Sequence, residues 1–227
     1  MTARRSDDTA LGGTMVVFDW NGAIVIDADR TRAALNRVLD GRGLPPLGET
    51  EFSLRFRLPL GELFGRLGVP VEEHAAAEQE FALASADARS RLREGAGETL
   101  TELARHGAWL GVVSAASVSA VRFDQRALAV PAVWNCVDTS VADKYELLVR
   151  HRPTRPTAYY VGDACDDLRS ASAAGYTAVG VTDAPDRSAA LRAAGAVHVI
   201  SALGELLTVL GDGTEAAQTS SFSTVQV

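Results

Sequence analysis

The stretch Met-Val-Val-Phe-Asp-Trp-Asn-Gly-Ala-Ile-Val at positions 15–25 constrains the fold more than any other part of the chain. A short apolar run that ends in a carboxylate and then Asn-Gly reads as a buried strand that stops abruptly. It presents Asp19 at its C-terminal end, with Gly22 turning the backbone away. A carboxylate placed there is a nucleophile, a metal ligand or a turn residue. Asn-Gly alone is an ordinary turn signal, so the choice depends on what the other strands bring to the same edge. In an open parallel sheet, ligands gather beyond the carboxyl ends of the strands.

Downstream of that strand the pattern is helical for about 65 residues. Ala33, Leu35, Val38 and Leu39 recur at helical spacing between Asp27 and Asp40, and Gly41 and Gly43 close the segment before Pro45 and Pro46. A second helical stretch runs from Glu49 to about Leu67 with a break near Pro59, and a third from Glu72 to about Leu92. After Gly95 and Gly97 helices and strands alternate. The expected strands are Ala108 to Ser114, Ala132 to Val137, Thr157 to Val161, Thr177 to Val181 and Val197 to Ile200. The helices between them are expected at Glu98 to His106, from Val118, Ala142 to Arg150, Leu168 to Ala174, Ser188 to Ala194 and Leu203 to Leu210. Repeated strand–helix–strand units imply an α/β fold, a Rossmann-like parallel sheet with helices on both faces, plus a small all-helical domain inserted after the first strand. The expected division is a disordered N-terminus at 1–14, a core at 15–26 and 93–210, a helical cap at 27–92 and a disordered polar tail at 211–227.

Charge and cysteine usage remove several function classes. A net charge of −7 argues against broad electrostatic binding to nucleic acid or to anionic membrane. No apolar run approaches the roughly 18–20 residues a membrane-spanning helix needs. Residues 1–14 lack the apolar core of a signal peptide, and the expectation is a cytoplasmic protein. Cys136 and Cys165 are far apart and outside any C-x-x-C spacing, which predicts free, mostly buried thiols.

Four expected strand ends carry polar groups: Asp19, Ser114, the Lys144 segment, and Asp163 with Asp166 and Asp167. In a parallel sheet these ends share one edge, so distant residues can converge on one cleft. Each group also has an ordinary role. Ser114 could cap a helix, Lys144 could be a solvated first-turn lysine, and Gly-Asp-Ala-Cys-Asp-Asp could be a turn with surplus acids. Three acids within five residues repel one another unless a cation neutralises them, which makes a magnesium site physically attractive.

The set and its order resemble the haloacid dehalogenase superfamily of aspartate-nucleophile hydrolases. The likeness is carried by Val-Phe-Asp-Trp-Asn-Gly ending at Gly22, Gly-Val-Val-Ser ending at Ser114, Asp143-Lys144-Tyr-Glu-Leu-Leu, and Val161-Gly-Asp-Ala-Cys-Asp-Asp-Leu followed by Ser-Ala-Ala-Gly ending at Gly175. The helical insert matches the cap of phosphoglycolate-phosphatase-like members. The resemblance implies an Mg2+-dependent phosphatase of a small phosphorylated metabolite. Asp19 would attack phosphorus to give an aspartyl-phosphate, with Asp19, Asn21, Asp163 and Asp167 around the metal and Asp166 a weaker candidate. Asn21, Gly22, Ser114, the backbone N–H of Ala115 and Lys144 would hold the phosphate and its charge. In the cap, Arg55 and Arg57 form a close basic pair, and Arg57 could meet an anionic substrate or lie on a solvated helix face.

Two positions depart from the family pattern. Asn21 stands where most of its phosphatases carry the Asp that exchanges a proton with the leaving group, and Ala23 stands where a Thr is usual. An amide cannot perform that exchange, and general acid–base assistance is worth about 10²–10⁴ in rate. The alternatives are therefore a weakened member that binds a phosphorylated ligand or a protein partner, and another chemistry on the same scaffold. Neither substrate identity nor oligomeric state is legible.

Overall fold

The computed structural model describes residues 10–57, 59–86 and 90–211. The expectations for 1–9 and 212–227 lie outside the described residues. The chain divides into two compact units, Met1–Ile26 with Leu92–Val227, and Asp27–Arg91.

In the first unit, β1 (Thr14–Phe18) is buried along its whole length. Its side chains alternate between two apolar layers, as a strand with both faces covered requires. Val16 and Phe18 join Leu100, Leu103, Leu110 and Val112, whereas Met15 and Val17 join Leu148, Tyr160, Leu168 and Leu191. Fully burying a side chain of this size is worth about 1.5–3 kcal/mol, which fixes β1 at the centre of the sheet. β2 (Val25–Ile26) and β3 (Arg91–Leu92) pair with each other where the chain leaves and rejoins this unit.

The remaining elements follow as α5 (Ala96–Arg105), β4 (Trp109–Val113), α6 (Val118–Ala127), β5 (Cys136–Asp138), α7 (Lys144–His151), β6 (Thr157–Gly162), α8 (Cys165–Ala173), β7 (Thr177–Val181), α9 (Arg187–Ala193), β8 (His198–Ile200) and a last helix, α10, at 205–211. The sheet order is β5-β4-β1-β6-β7-β8, and each pairing is parallel. β1 thus lies between β4 and β6, with Phe18 level with Val112 on one side and Val161 on the other.

The second unit holds α1 (Ala28–Asp40), α2 (Glu49–Arg55), α3 (Leu60–Leu67), a 3-10 turn at Val71–Glu73 and α4 (His74–Ala86). Its own apolar cluster joins Leu35, Leu39, Phe52, Leu63, Phe64 and Ala77. Asn36 ties α1 to the following loop through both halves of its amide, donating to the Leu47 carbonyl at 3.0 Å and accepting the Leu47 N–H at 2.8 Å.

Several boundaries depart from the sequence reading. The helix expected to reach Leu92 ends at Ala86, and Arg91–Leu92 is strand; Leu92 groups with the first unit. Residues 10–14, expected to be disordered, are ordered. Leu11 is buried, its N–H bonds the His106 carbonyl at 2.9 Å, and Thr14 already belongs to β1. The strand expected from Ala132 begins only at Cys136, because the Asn135 side chain takes the Leu110 N–H at 2.8 Å in place of a ladder carbonyl. α8 begins three residues earlier than expected, which puts Asp166 and Asp167 in its first turn, where the helix dipole favours acids. Gly211 closes α10 instead of opening a tail. Both cysteines are free, as expected, but half-buried.

Candidate active site

Asp19 follows directly on β1, and its N–H extends the ladder by donating to the Val161 carbonyl at 2.9 Å. The register of β1 with β4 and β6 puts Ser114 and Asp163 one step beyond it, at the same carboxyl edge. The next turn is tight. The N–H groups of Ile24 and Val25 both bond the Trp20 carbonyl, and the N–H of Gly22 bonds the Val25 carbonyl at 2.8 Å. Trp20, fully buried, anchors this turn by donating its indole N–H to Asp124 at 3.2 Å.

Lys144, the first residue of α7, brings the acids together. Its ammonium lies 3.0 Å from Asp19 Oδ2 and 2.5 Å from Asp167 Oδ2, and its side chain is one-tenth exposed. It is therefore no solvated lysine. Burial works against the charged ammonium, but Asp19 and Asp167 outweigh it and hold its pKa above the ordinary lysine value. Burial, then the Asp19 charge, pushes Asp167 up to about 6 despite Lys144. The same two causes, in the same order, push Asp163 up to about 7, with Arg187 and Lys144 pulling the other way. Asp163 abuts Gly22: a Cβ built on Gly22, whose φ is +78°, would lie 2.2 Å from the Asp163 carboxyl carbon.

The other expected residues divide. Ser114 is buried and accepts the Ala116 N–H at 3.3 Å, while the cap of α6 is Ser117, so Ser114 is not that helix's N-cap. Ala115 beside it is exposed. Asn21 Oδ1 is buried without a hydrogen-bond donor. Asp166 points to solvent and pairs with Arg169, outside the cluster. Arg57, in the second unit, is exposed in the link after α2 instead of on a helix face, and donates to the Phe56 carbonyl at 2.5 Å. Arg55 pairs with Glu51 at 2.7 Å and donates to the Arg66 carbonyl.

Two residues absent from the sequence reading belong to this edge. Tyr160, fully buried on β6, donates its hydroxyl to Asp167 at 3.3 Å and accepts from Lys144 at 3.4 Å. Burial first, then the surrounding aspartates, raises its pKa well above the ordinary tyrosine value. Arg93 is 6% exposed and donates to the carbonyls of Gly22 at 2.6 Å, Ala23 at 3.1 Å and Ser201 at 3.0 Å, while pairing with Asp183. Strand alternation puts Tyr160 and Ala158 on one face, but neither its hydroxyl partners nor those of Arg93 leave a sequence signal.

The donor set suits a hard divalent cation. Asp19, Asp163 and Asp167 supply carboxylates whose mutual repulsion such a charge would relieve, and the Asn21 amide oxygen is a buried acceptor without a partner. Among the described residues, only Cys136, Asp138 and His151 form a group of three His, Cys, Asp or Glu side chains with donor atoms all within 4.8 Å of one another. The three aspartates are spread more widely, around Lys144.

A six-stranded parallel sheet flanked by helices, with reactive side chains gathered at its carboxyl edge, defines a Rossmann-like α/β core. The family model described as haloacid dehalogenase-like hydrolase matches residues 16–181, and the chain belongs to that family. Its fold is similar to that of a haloacid dehalogenase-like family hydrolase from Streptococcus pneumoniae (TM-score 0.75, 17% identity, 87% of this chain and 98% of that one). It is also similar to a predicted phosphoglycolate phosphatase from Haemophilus somnus (TM-score 0.68, 18% identity, 89% and 99%). CbbY from Rhodobacter sphaeroides, in complex with phosphate, matches with a TM-score of 0.67 and 22% identity over 86% and 96%. At these identities the likeness carries the fold alone. No protein of curated function matches the chain. Among the described residues, no helix is long and apolar enough to cross a membrane.

Proposed function

We propose that this hydrolase is an Mg2+-dependent phosphatase of a small phosphorylated metabolite, with Asp19 as nucleophile. The observation that carries the reading is the Lys144 ammonium held between Asp19 and Asp167 at the carboxyl edge of the sheet. One Asp19 oxygen accepts the Trp20 N–H at 2.7 Å, which fixes the carboxylate, and the other faces Lys144. Attack by an Asp19 oxygen on phosphorus forms an aspartyl-phosphate as the bond to the leaving oxygen breaks; that oxygen takes any proton it needs from solvent, and water then attacks the phosphorus, releasing inorganic phosphate and the Asp19 carboxylate. Lys144 neutralises charge as the phosphoryl group moves, and Ser114 with the Ala115 N–H binds its oxygens. Asp19, Asp163, Asp167 and Asn21 would hold the Mg2+, which shields the like charges of nucleophile and phosphate. Membership of the haloacid dehalogenase-like hydrolase family supports hydrolytic chemistry at this edge. Arg57 is a candidate contact for an anionic substrate group. The half-buried free thiols fit a reducing cytoplasm.

Asn21 shapes the substrate range. With no proton donor at that position, good leaving groups such as acyl phosphates are favoured over alkyl phosphates. The same residue favours a second reading, a phospholigand-binding protein with little turnover. Phosphate release from acetyl phosphate and a panel of alkyl phosphates, with and without Mg2+, separates the two. The phosphatase reading expects Mg2+-dependent turnover with acetyl phosphate much the better substrate, abolished in Asp19→Asn, and a gain on alkyl phosphates in Asn21→Asp. Ligand binding without release of phosphate from any substrate would leave the second reading.

A further inference from the structure

At the far edge of the sheet a different set of donors converges. Cys136 and Asp138 are two residues apart on β5 and so project from the same face of the strand. His151 ends α7. The Cys136 sulfur lies 3.1 Å from Asp138 Oδ2 and 3.6 Å from His151 Nε2, and Nε2 lies 2.7 Å from the same Asp138 oxygen. The Trp109 ring, 5.6 Å from the imidazole between centroids, packs beside it.

We propose that Cys136, Asp138 and His151 form a metal site for a thiophilic divalent transition ion, Zn2+ by its donor set, separate from the aspartates around Lys144. Tetrahedral Zn2+ with bonds of ~2.0–2.3 Å separates its ligand atoms by ~3.3–3.7 Å. The three distances here average slightly less, so binding needs only a small spreading of side chains that already face one another. The donor types decide the metal class. Thiolate and imidazole select Zn2+ over the hard ions that carboxylates alone prefer. Without a cation, burial, then Asp138, pushes the Cys136 thiol up to about 12, so the sulfur keeps its proton and is a poor nucleophile. On metal binding the S–H proton leaves to solvent and the sulfur–metal bond replaces it. His151 and Asp138 are partly exposed, at 19% and 31% of their side chains, so an ion can enter and a fourth ligand can come from solvent.

The site would join the edge strand to the helix that begins at Lys144. Seven residues at ~1.5 Å each separate Lys144 from His151, about 10 Å. The Asp138 carbonyl also accepts the N–H of Ser114 at 3.0 Å. A metal at this corner therefore braces two elements of the candidate active site without touching it.

The test is a Co2+ titration of the full-length protein with excess Mg2+ present to occupy the carboxylates. The expected result is one equivalent of Co2+ showing a thiolate-to-cobalt charge-transfer band, displaced stoichiometrically by Zn2+. Cys136→Ser should abolish the band and weaken binding at least about 100-fold, since even outer-shell partners typically contribute 10–100-fold. His151→Gln and Asp138→Asn should each weaken binding by at least about 10-fold while keeping the band, and Cys165→Ser should change nothing. Absence of the band in the unaltered protein, or its survival in Cys136→Ser, overturns the proposal. If Cys136→Ser does not fold, unchanged affinity in both His151→Gln and Asp138→Asn overturns it equally.

Discussion

Removing the Arg93 side chain should cost more stability than any other single truncation at the candidate active site. The guanidinium is nearly inaccessible and serves three main-chain carbonyls, two of them in the turn that follows Asp19. Hydrogen bonds from a charged donor are worth about 1.5–3 kcal/mol each, and an acceptor left unsatisfied costs about 1–3 kcal/mol when buried. Asp183 is more than half exposed, so the ion pair itself adds little. Taking the lower part of the range for each carbonyl, because water can reach some of them once the side chain is gone, Arg93→Ala should lose about 3–5 kcal/mol. That is a large share of the roughly 5–15 kcal/mol that holds a domain folded. Urea unfolding followed by tryptophan fluorescence reports it directly, since Trp20 is buried within the affected turn. Arg93→Lys keeps the charge but not the planar fork and should recover only about half of the loss. A drop below about 1 kcal/mol in Arg93→Ala, with the urea dependence unchanged, would refute the account of Arg93 as the clamp of this turn.

Three further outcomes follow from the same geometry. Lys144→Met should cut phosphate release at least about 100-fold and drive the Asp167 carboxyl above about 6, because the Lys144 charge and hydrogen bond oppose its burial and Asp19; rates together with carboxyl titration by NMR check it, and a loss under tenfold would remove Lys144 from the reaction. Gly22→Ala should lose about 1–2 kcal/mol from the left-handed backbone alone and, by displacing Asp163, weaken Mg2+ binding; calorimetry reads both, and unaltered Mg2+ affinity would contradict the contact. Asp163 and Asp167, at about 7 and about 6 in the fold against ~3.9 unfolded, lose protons more readily in the unfolded chain, so together they lower stability progressively as pH rises from about 4 to about 7. Mg2+ should reverse that loss, so its stabilising effect in thermal melts should grow through the same window; an effect of equal size at pH 5 and pH 7.5 would argue against those two groups as its ligands.

The gathering of Asp19, Lys144 and Asp167 was legible because parallel strands put their carboxyl ends on one side, so order along the chain became proximity in space. The central strands were legible for a similar reason: apolar runs bounded by glycine have few other readings. What lay beyond the sequence was the partner of each polar group. Arg93 reaches carbonyls seventy residues away, and carbonyls carry no residue identity. Tyr160 reads as an ordinary strand aromatic until its hydroxyl is seen between Lys144 and Asp167. The end of α4 was missed because the sequence from 87 to 94 holds neither Gly nor Pro to mark the stop. The Cys136, Asp138 and His151 cluster was invisible because α7 turns the chain back, bringing residue 151 beside residues 136 and 138.

Each apolar cluster draws its members from one unit: Leu35, Phe52 and Phe64 pack among helices of 27–91, while both faces of the sheet are covered by residues outside that range. Substitutions inside the insert therefore leave the packing beneath Asp19 untouched. Sequence change can thus accumulate in one module without repacking the other, a separation that lets the two diverge at different rates.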